Sequence, residues 1–537
     1  MRYLSIDIET YSDKDLIKGG VYNYVDSANF EILLFAYAFD DEEVKIVDLK
    51  NGGKLPEEVL KALNNKSIIK TAYNANFERT CIQKHFNIEL SYESWICTMV
   101  WGLSVGLPSG LDNIAKVLKL AEQKDGKGKN LIKYFSVPCK PTKINGGRTR
   151  NLPEHDTEKW EMFKEYCKQD VEVERDLRKY LSNYEMVESE KALWLLDQKI
   201  NDNGVTVDTR FIEKVLLIDE LNTNRNNDIL RGITGLDNPN SLPQLKEWLS
   251  NKLGYEVESV TKESIPKIEK STNDKEILKV LGLRKENAKT SVKKYEAMAR
   301  SVCSDNKIRG LLQFYGASRT GRWAGRIVQV QNLPQNHLSN IEEVREDFKT
   351  LDFDTLKLLY ENIPNILSEL VRTAFIPSKN HRFIVSDFSA IEARVVAYLA
   401  EEKWRLDVFR THGKIYEASA SKMFNIPIEQ ITKGSELRQK GKIAELALGY
   451  GGGVGALTSM GALKMGLKED ELQDLVDAWR NSNLNIKKFW YDCEKAAKDA
   501  IKNCKITTLN SGITFYMNKN NLCIQLPSKR SLYYNSP

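Results

Sequence analysis

Asp7-Ile8-Glu9 sets two carboxylates two residues apart in an alternating segment, Arg2 to Thr10. On a strand that spacing turns both to one face. Flanked by apolar residues, they repel each other unless a cation lies between them, although a solvated strand edge can carry the same pattern. Tyr166 and Asp170 lie four apart, so on a helix a phenol stacks above a carboxylate. A fourth acid, Glu78, follows Asn74-Ala75-Asn76-Phe77 where a strand passes into a helix.

A second set lies downstream. The apolar run Phe383-Ile384-Val385 predicts a strand that delivers Asp387 to its end, and Ser389 with Glu392 fits an S-x-x-E capping box opening a helix. Arg438, Lys442, Leu446 and Tyr450 recur every four residues, one stripe on a helix opened near Ser435 and closed by Gly449 to Gly453. Two cations toward that helix's N-terminal side suit a triphosphate, although a surface stripe has the same spacing. Lys279 to Arg300 holds seven basic residues, Lys289, Lys293 and Lys294 among them, against Glu286 and Glu296. Arg309, Arg319, Arg322 and Arg326 carry the basic character into a glycine-rich loop, Gly316 to Gly325. Arginine with glycine suits close approach to phosphates, and a solvated helix face is the plainer reading of the lysines.

The elements that must position these groups are legible from periodicity. Strands at Arg2–Thr10, Glu31–Phe39 and Val44–Leu49 precede a helix at Leu55–Leu63, a strand at Ser67–Tyr73 and a helix at Asn76–Phe86. The arrangement is α/β. Helical spacing runs from Asp156 to Tyr184, and a mostly helical stretch follows from Glu188 to about Ile308. Four short strands are expected at Ile506–Leu509, Ile513–Met517, Leu522–Leu526 and Ser531–Tyr534.

Composition bounds the class. With 41% hydrophobic and 28% charged residues, the 537-residue chain is of ordinary globular type, long enough for several domains of ~150 residues. Its longest apolar run, Ile32 to Phe39, is far short of the ~20 residues that span a bilayer, so no membrane partner is expected. Eight scattered cysteines without metal-binding spacing and the absence of a secretory leader indicate a reduced, cytoplasmic protein. A net charge of +5 does not by itself mark a nucleic-acid binder.

Asp7-x-Glu9, Asn74 to Glu78 and Tyr166-x-x-x-Asp170, in this order, resemble the three motifs of the DEDDy 3′–5′ exonucleases, whose fold is RNase H-like. Gly316 to Arg322 with Gln329 to Pro334, which includes Gln331 and Asn332, is similar to the T-G-R and Q-N-[IL]-P segment of family A DNA polymerases. Asp387-Phe388-Ser389-Ala390-Ile391-Glu392-Ala393-Arg394 resembles their motif A, and the Arg438 to Tyr450 stripe their motif B. The resemblance implies an α/β and α+β multidomain chain. An RNase H-like exonuclease (1–185) would be followed by a right-hand polymerase: thumb (186–310), palm with motif A (311–400), fingers with motif B (401–490) and an incomplete return to the palm (491–537). It implies two Mg²⁺ or Mn²⁺ ions per active site, held by Asp7, Glu9 and Asp170 in one and by Asp387 in the other. Tyr166 would orient the attacking water, and Glu392 would lie under the sugar and exclude a ribose 2′-hydroxyl. Arg438 and Lys442 would bind the phosphates of the incoming nucleotide. Glu78 replaces the family's usual aspartate, and Leu446 its usual Phe or Tyr.

Motif C, H-D-E, is not found. The only His-Asp pair, His155-Asp156, precedes motif A and continues into Thr157, and Ala500 to Pro537 holds no Asp or Glu. The expectation is a replicative phage-type polymerase with proofreading, cut before motif C and unable to extend a primer at an appreciable rate. Its partners would be primer-template DNA, dNTPs and single-stranded 3′ ends in the bacterial host's cytoplasm, with accessory replication proteins unspecified. Two alternatives stay open: an exonuclease whose polymerase-like half only clamps DNA, and a non-catalytic DNA-binding protein.

Overall fold

A computed structural model describes residues 2–120, 128–262, 264–289, 292–318 and 320–537. They form two compact units, Met1–Leu103 with Leu107–Phe383, and Ser104–Gly106 with Ile384–Pro537. The division after Phe383 falls inside the 311–400 segment expected to stay together. Phe314, Tyr315 and Trp323 join the hydrophobic cluster of the N-terminal sheet, whereas helix Ile391–Leu399 packs on helices Lys403–Thr411 and Leu484–Asn503.

The first unit is built on a five-stranded mixed sheet of β1 (Arg2–Tyr11), β2 (Glu31–Phe39), β3 (Lys45–Asp48), β4 (Ile68–Ala72) and β5 (Trp95–Cys97), in the order β3-β2-β1-β4-β5. β1 is antiparallel to β2 and parallel to β4. Leu4, Ile6 and Ile8 turn to one face, where Phe35, Cys81 and Ile82 join them. The opposite face is covered by helices Gly128–Phe135 and Thr157–Leu181, through Phe135, Trp160, Phe163, Cys167 and Val171. β2 reads as a continuous apolar run because both of its faces are buried. A register shift at Glu9/Thr10 also lets Leu33 and Leu34 join the same cluster.

Among the described residues, six helices follow between Glu188 and Ser301. Helix Thr209–Thr234 is capped by Asp208, whose Oδ1 accepts from Phe211 N at 3.1 Å while Oδ2 accepts from Arg345 at 2.6 Å. The basic stretch Lys279–Arg300 is not one helix. Lys275–Asn287 inserts Val280 and Leu281 into a cluster with Leu245 and Leu249, and Lys293–Ser301 inserts Tyr295 and Met298 into another, so the chain breaks between them. The glycine-rich loop Gly316 to Gly325 is largely a hairpin, Leu312–Ala317 with Arg322–Gly325, anchored by Phe314 against Trp323 at 5.0 Å between ring centroids. Trp323 Nε1 donates to Asp197 Oδ1 at 2.9 Å, and Asp197 is 4% exposed on helix Glu188–Asn203.

The second unit is helical, with an antiparallel meander of Thr507–Thr508, Thr514–Asn518, Asn521–Gln525 and Ser531–Asn535. Ile513, Phe515 and Leu522 pack under helix Leu484–Asn503 through Ala496 and Ala500. The strand expected before Asp387 is not formed. Ile384 and Val385 are exposed, and among the described residues no strand pairs with them. An apolar segment without a ladder has nowhere to place its backbone hydrogen bonds except water. The capping box fails as well: Ala390, left-handed at φ 52°, is the N-cap of helix Ile391–Leu399, and no side chain caps it.

Candidate functional site

Asp7, Glu9, Glu78, Tyr166 and Asp170 all line one cleft of about 840 Å³ in the first unit. β1 supplies Asp7 opposite Ala36 and Glu9 opposite Leu34 on the face covered by helix Thr157–Leu181. That helix is capped by Asp156, whose Oδ1 accepts from Lys159 N at 3.0 Å, and its buried face carries Phe163, Tyr166, Cys167 and Asp170. Tyr166 stacks on Phe163 with ring centroids 6.4 Å apart. Its ring lies so close to Gly128 that a Cβ there would come within 2.0 Å of Cε2. Glu78 enters from the first turn of helix Ala75–Phe86, where Asn74 takes the left-handed conformation at φ 71° and turns the chain out of the preceding strand.

The electrostatics are those of crowded acids. Burial first, then the charges of Asp7, Glu174 and Asp170, hold the Glu78 carboxyl well above the ordinary range. Glu78 is 4% exposed, and its Oε2 has no hydrogen-bond partner among the described residues. Burial, Asp170, Glu9 and Asp7 likewise push the Tyr166 phenol up. All-oxygen donors around an unsatisfied buried carboxylate fit a hard divalent cation. They are not drawn together, however: among the described residues no three His, Cys, Asp or Glu side chains converge closely enough to hold one ion.

Sequence reasoning missed three contributors to this cleft. Cys167 Sγ donates to Asp7 Oδ2 at 3.4 Å, and its place between Tyr166 and Asp170 was the available signal. Glu174 lies one helical turn beyond Asp170, fully buried, and accepts from Thr71 Oγ1 at 3.2 Å. Gln313 lines the cleft and accepts from Arg326 Nε at 2.7 Å. Nothing in the local sequence marks Gln313.

The other basic candidates are less uniform. Lys293 is exposed, whereas Lys294 donates to Val328 O at 2.7 Å and burial holds Lys289 below the usual lysine range. Arg322, Gln331 and Asn332 are exposed, Asn332 donating to Gln329 at 3.2 Å, and Arg319 lies outside the described residues.

In the second unit, a cavity of about 260 Å³ is lined by Asp387, Glu392, Leu446 and Tyr450, together with Tyr416, Arg405 and Glu445. The stripe helix, Glu436–Leu448, is capped by Ser435, whose Oγ accepts from Arg438 N at 3.3 Å. Lys442 is half-buried and has no ion pair among the described residues. Arg438 is not a free cation: its Nε donates to Glu417 Oε1 at 2.6 Å. Glu417 was not singled out in the sequence because its partner lies on a different helix.

This mixed helical and sheet architecture is a polymerase fold. The POL domain of Pol1 from M. smegmatis, solved in complex with DNA primer-template and dNTP, matches it with a TM-score of 0.59 at 15% identity, over 96% of this chain and 78% of that one. Residues 220–521 match the model for DNA polymerase family A. The chain is 59% identical over all 537 residues to the DNA polymerase of Bacillus phage SP02, of which the match spans 83%. It is 29% identical over 122 residues, 22% of this chain, to DNA polymerase I of Pseudomonas aeruginosa, of which that match spans 13%. The chain belongs to DNA polymerase family A.

Proposed function

We propose that this chain serves phage DNA replication by templated addition of dNTPs to a primer, with an RNase H-like 3′–5′ exonuclease that removes mispaired ends. Both would act on primer-template DNA in the bacterial host's cytoplasm. Among the described residues no helix is long and apolar enough to cross a membrane. The observation that carries the polymerase reading is the convergence of Asp387 and Glu392 with Leu446 and Tyr450 on one cavity, from segments more than fifty residues apart. Arg438 and Lys442 would take the triphosphate, Glu392 would lie under the sugar, and Leu446 and Tyr450 would face sugar and base.

In the cleft of the first unit, Asp7, Glu9 and Asp170 would hold two Mg²⁺ or Mn²⁺ ions, which when bound lower the pKa of water and stabilise a leaving oxygen. Asp387 would serve the same end in the palm. Tyr166 would orient the attacking water. Arg326, Lys293, Lys289, Lys294, Arg319, Arg322, Gln331 and Asn332 would engage DNA, chiefly through phosphates.

The test is primer extension with all four dNTPs in an Asp7→Ala/Glu9→Ala background, where degradation cannot hide synthesis. It is run on the 537-residue chain and on a chain continued from Pro537 into an H-D-E segment. Extension by the longer chain that is lost with Asp387→Ala supports the proposal, and extension indifferent to Asp387 overturns it. Synthesis by neither chain, beside intact degradation by the wild-type sequence, leaves an exonuclease with a DNA clamp. Robust synthesis by the shorter chain would mean that it already holds the second palm carboxylate, with Glu392 the first to replace.

A further inference from the structure

Glu417 lies beside the proposed phosphate-binding stripe without belonging to it. Helix Ile415–Phe424 approaches the stripe helix closely because Gly441 has no side chain: a Cβ there would meet Tyr416 O at 2.3 Å. That approach brings Glu417, with a side chain 14% exposed, against Arg438, with a side chain 24% exposed. Only one edge of the guanidinium is used. Nε donates to Glu417 Oε1 at 2.6 Å, and among the described residues no other acceptor takes its two Nη groups. The face is covered too, since the Tyr416 ring lies with its centroid 5.5 Å from the Arg438 Cζ, and Tyr416 lines the cavity that holds Glu392, Leu446 and Tyr450.

A guanidinium has five N–H donors in a rigid fork, so a carboxylate on the Nε edge leaves the Nη edge available for a second anion. Fixing Nε removes rotamers that Arg438 would otherwise lose on binding. We propose that Glu417 is a positioning residue: it holds Arg438 by Nε so that both Nη groups present a pre-oriented fork to the triphosphate of the incoming nucleotide. The inference rests on the phosphate-binding reading of Arg438. Glu417 touches no substrate and acts through the arginine.

The experiment measures, by titration calorimetry on the full chain in the Asp7→Ala/Glu9→Ala background that spares the primer end, affinities for dATP, inorganic tripolyphosphate and deoxyadenosine, with Mg²⁺ and a dideoxy-terminated primer-template present. Glu417→Ala is expected to weaken dATP and tripolyphosphate about tenfold, the order of effect of losing the orientation of one charge-assisted contact, and to leave deoxyadenosine unchanged. Glu417→Gln keeps an acceptor for Nε and should recover most of the loss. Added to Arg438→Ala, Glu417→Ala should have no further effect, since the two act as a unit. If Arg438→Ala leaves tripolyphosphate binding unchanged, the phosphate reading itself fails. If Arg438→Ala weakens binding and Glu417→Ala does not, or tightens it, the positioning role is overturned and Glu417 is only a competing anion. Should Glu417→Ala lower the melting temperature and lose deoxyadenosine as well, Glu417→Asp decides, because it keeps the charge and withdraws the oxygen by one methylene. Weaker tripolyphosphate binding at unchanged melting temperature supports the proposal, and unchanged binding overturns it.

Discussion

Arg405 and Glu445 meet as a two-point ion pair inside the second unit, at 1% and 8% exposure, with Nη1 to Oε1 at 2.9 Å and Nη2 bonded to Oε2. Trp479 Nε1 also donates to Oε1 at 2.9 Å, and Asn483 Oδ1 accepts from Nη1 at 3.0 Å. The pair thereby ties helix Lys403–Thr411 to the stripe helix at the residue before Leu446. Removing one partner of such a pair strands a buried charge. Glu445→Ala should therefore lose about 3 to 5 kcal/mol in urea unfolding, while replacing both residues by methionine should cost much less. Equal losses would mean that packing, not charge, dominates there.

Asp7→Ala or Asp170→Ala should lower the removal of 3′-terminal nucleotides from single-stranded DNA by orders of magnitude, and a chelator should do the same to the wild-type chain. Glu78→Asp should keep or raise the rate, since aspartate is usual at this place in the DEDDy exonucleases that the segment resembles, and Glu78 Oε2 has no protein partner among the described residues. Wild-type degradation by Asp7→Ala/Glu9→Ala would show that the cleft has been misassigned.

Gly128→Ala should slow degradation by about tenfold or more without weakening the binding of single strands, because the new methyl must displace the Tyr166 ring. A rate unchanged from wild type would show that the ring can move aside at no cost to the chemistry.

Burial raises the Asp197 carboxyl from its ordinary value of 3.8 to about 6. The native state therefore binds more protons than the unfolded chain between roughly pH 4 and 6, and this carboxyl's contribution to stability falls as pH rises through that window. Asp197→Asn should match wild type near pH 4 and exceed it by up to about 3 kcal/mol at pH 7, at about 1.36 kcal/mol per pKa unit. Urea midpoints across that range are the measurement, and a constant difference would contradict the assignment.

Lys293→Ala should reduce the salt slope of duplex DNA binding by about one, as expected for a lost phosphate contact. Lys294→Ala should flatten it less, because that ammonium is committed to Val328 O. Equal flattening would mean that Lys294 releases the carbonyl when DNA binds.

The cleft of the first unit was legible because its residues sit on elements set by local pattern: Asp7 and Glu9 on an alternating strand, Tyr166 and Asp170 on a capped amphipathic helix. The stripe helix was legible for the same reason, from Ser435 to Gly449. What escaped depends on partners distant in the chain. A strand at Ile384 needs a neighbouring strand, which no periodicity supplies, and an S-x-x-E spacing does not choose between Ser389 and Ala390 as the N-cap. The split of the basic run follows from Val280 and Tyr295 belonging to different clusters. The engagement of Arg438 follows from a second helix that Gly441 lets in.

Burial and the carboxylates of Asp170, Glu9, Asp7 and Asp112 push the Tyr166 phenol up. A phenol that orients water without giving up its proton would have nothing to reset between turnovers. Under the proposed role, the phenol is as ready after one nucleotide has left as before the next arrives, and the recovery of the cleft is a matter of strand movement and product departure alone.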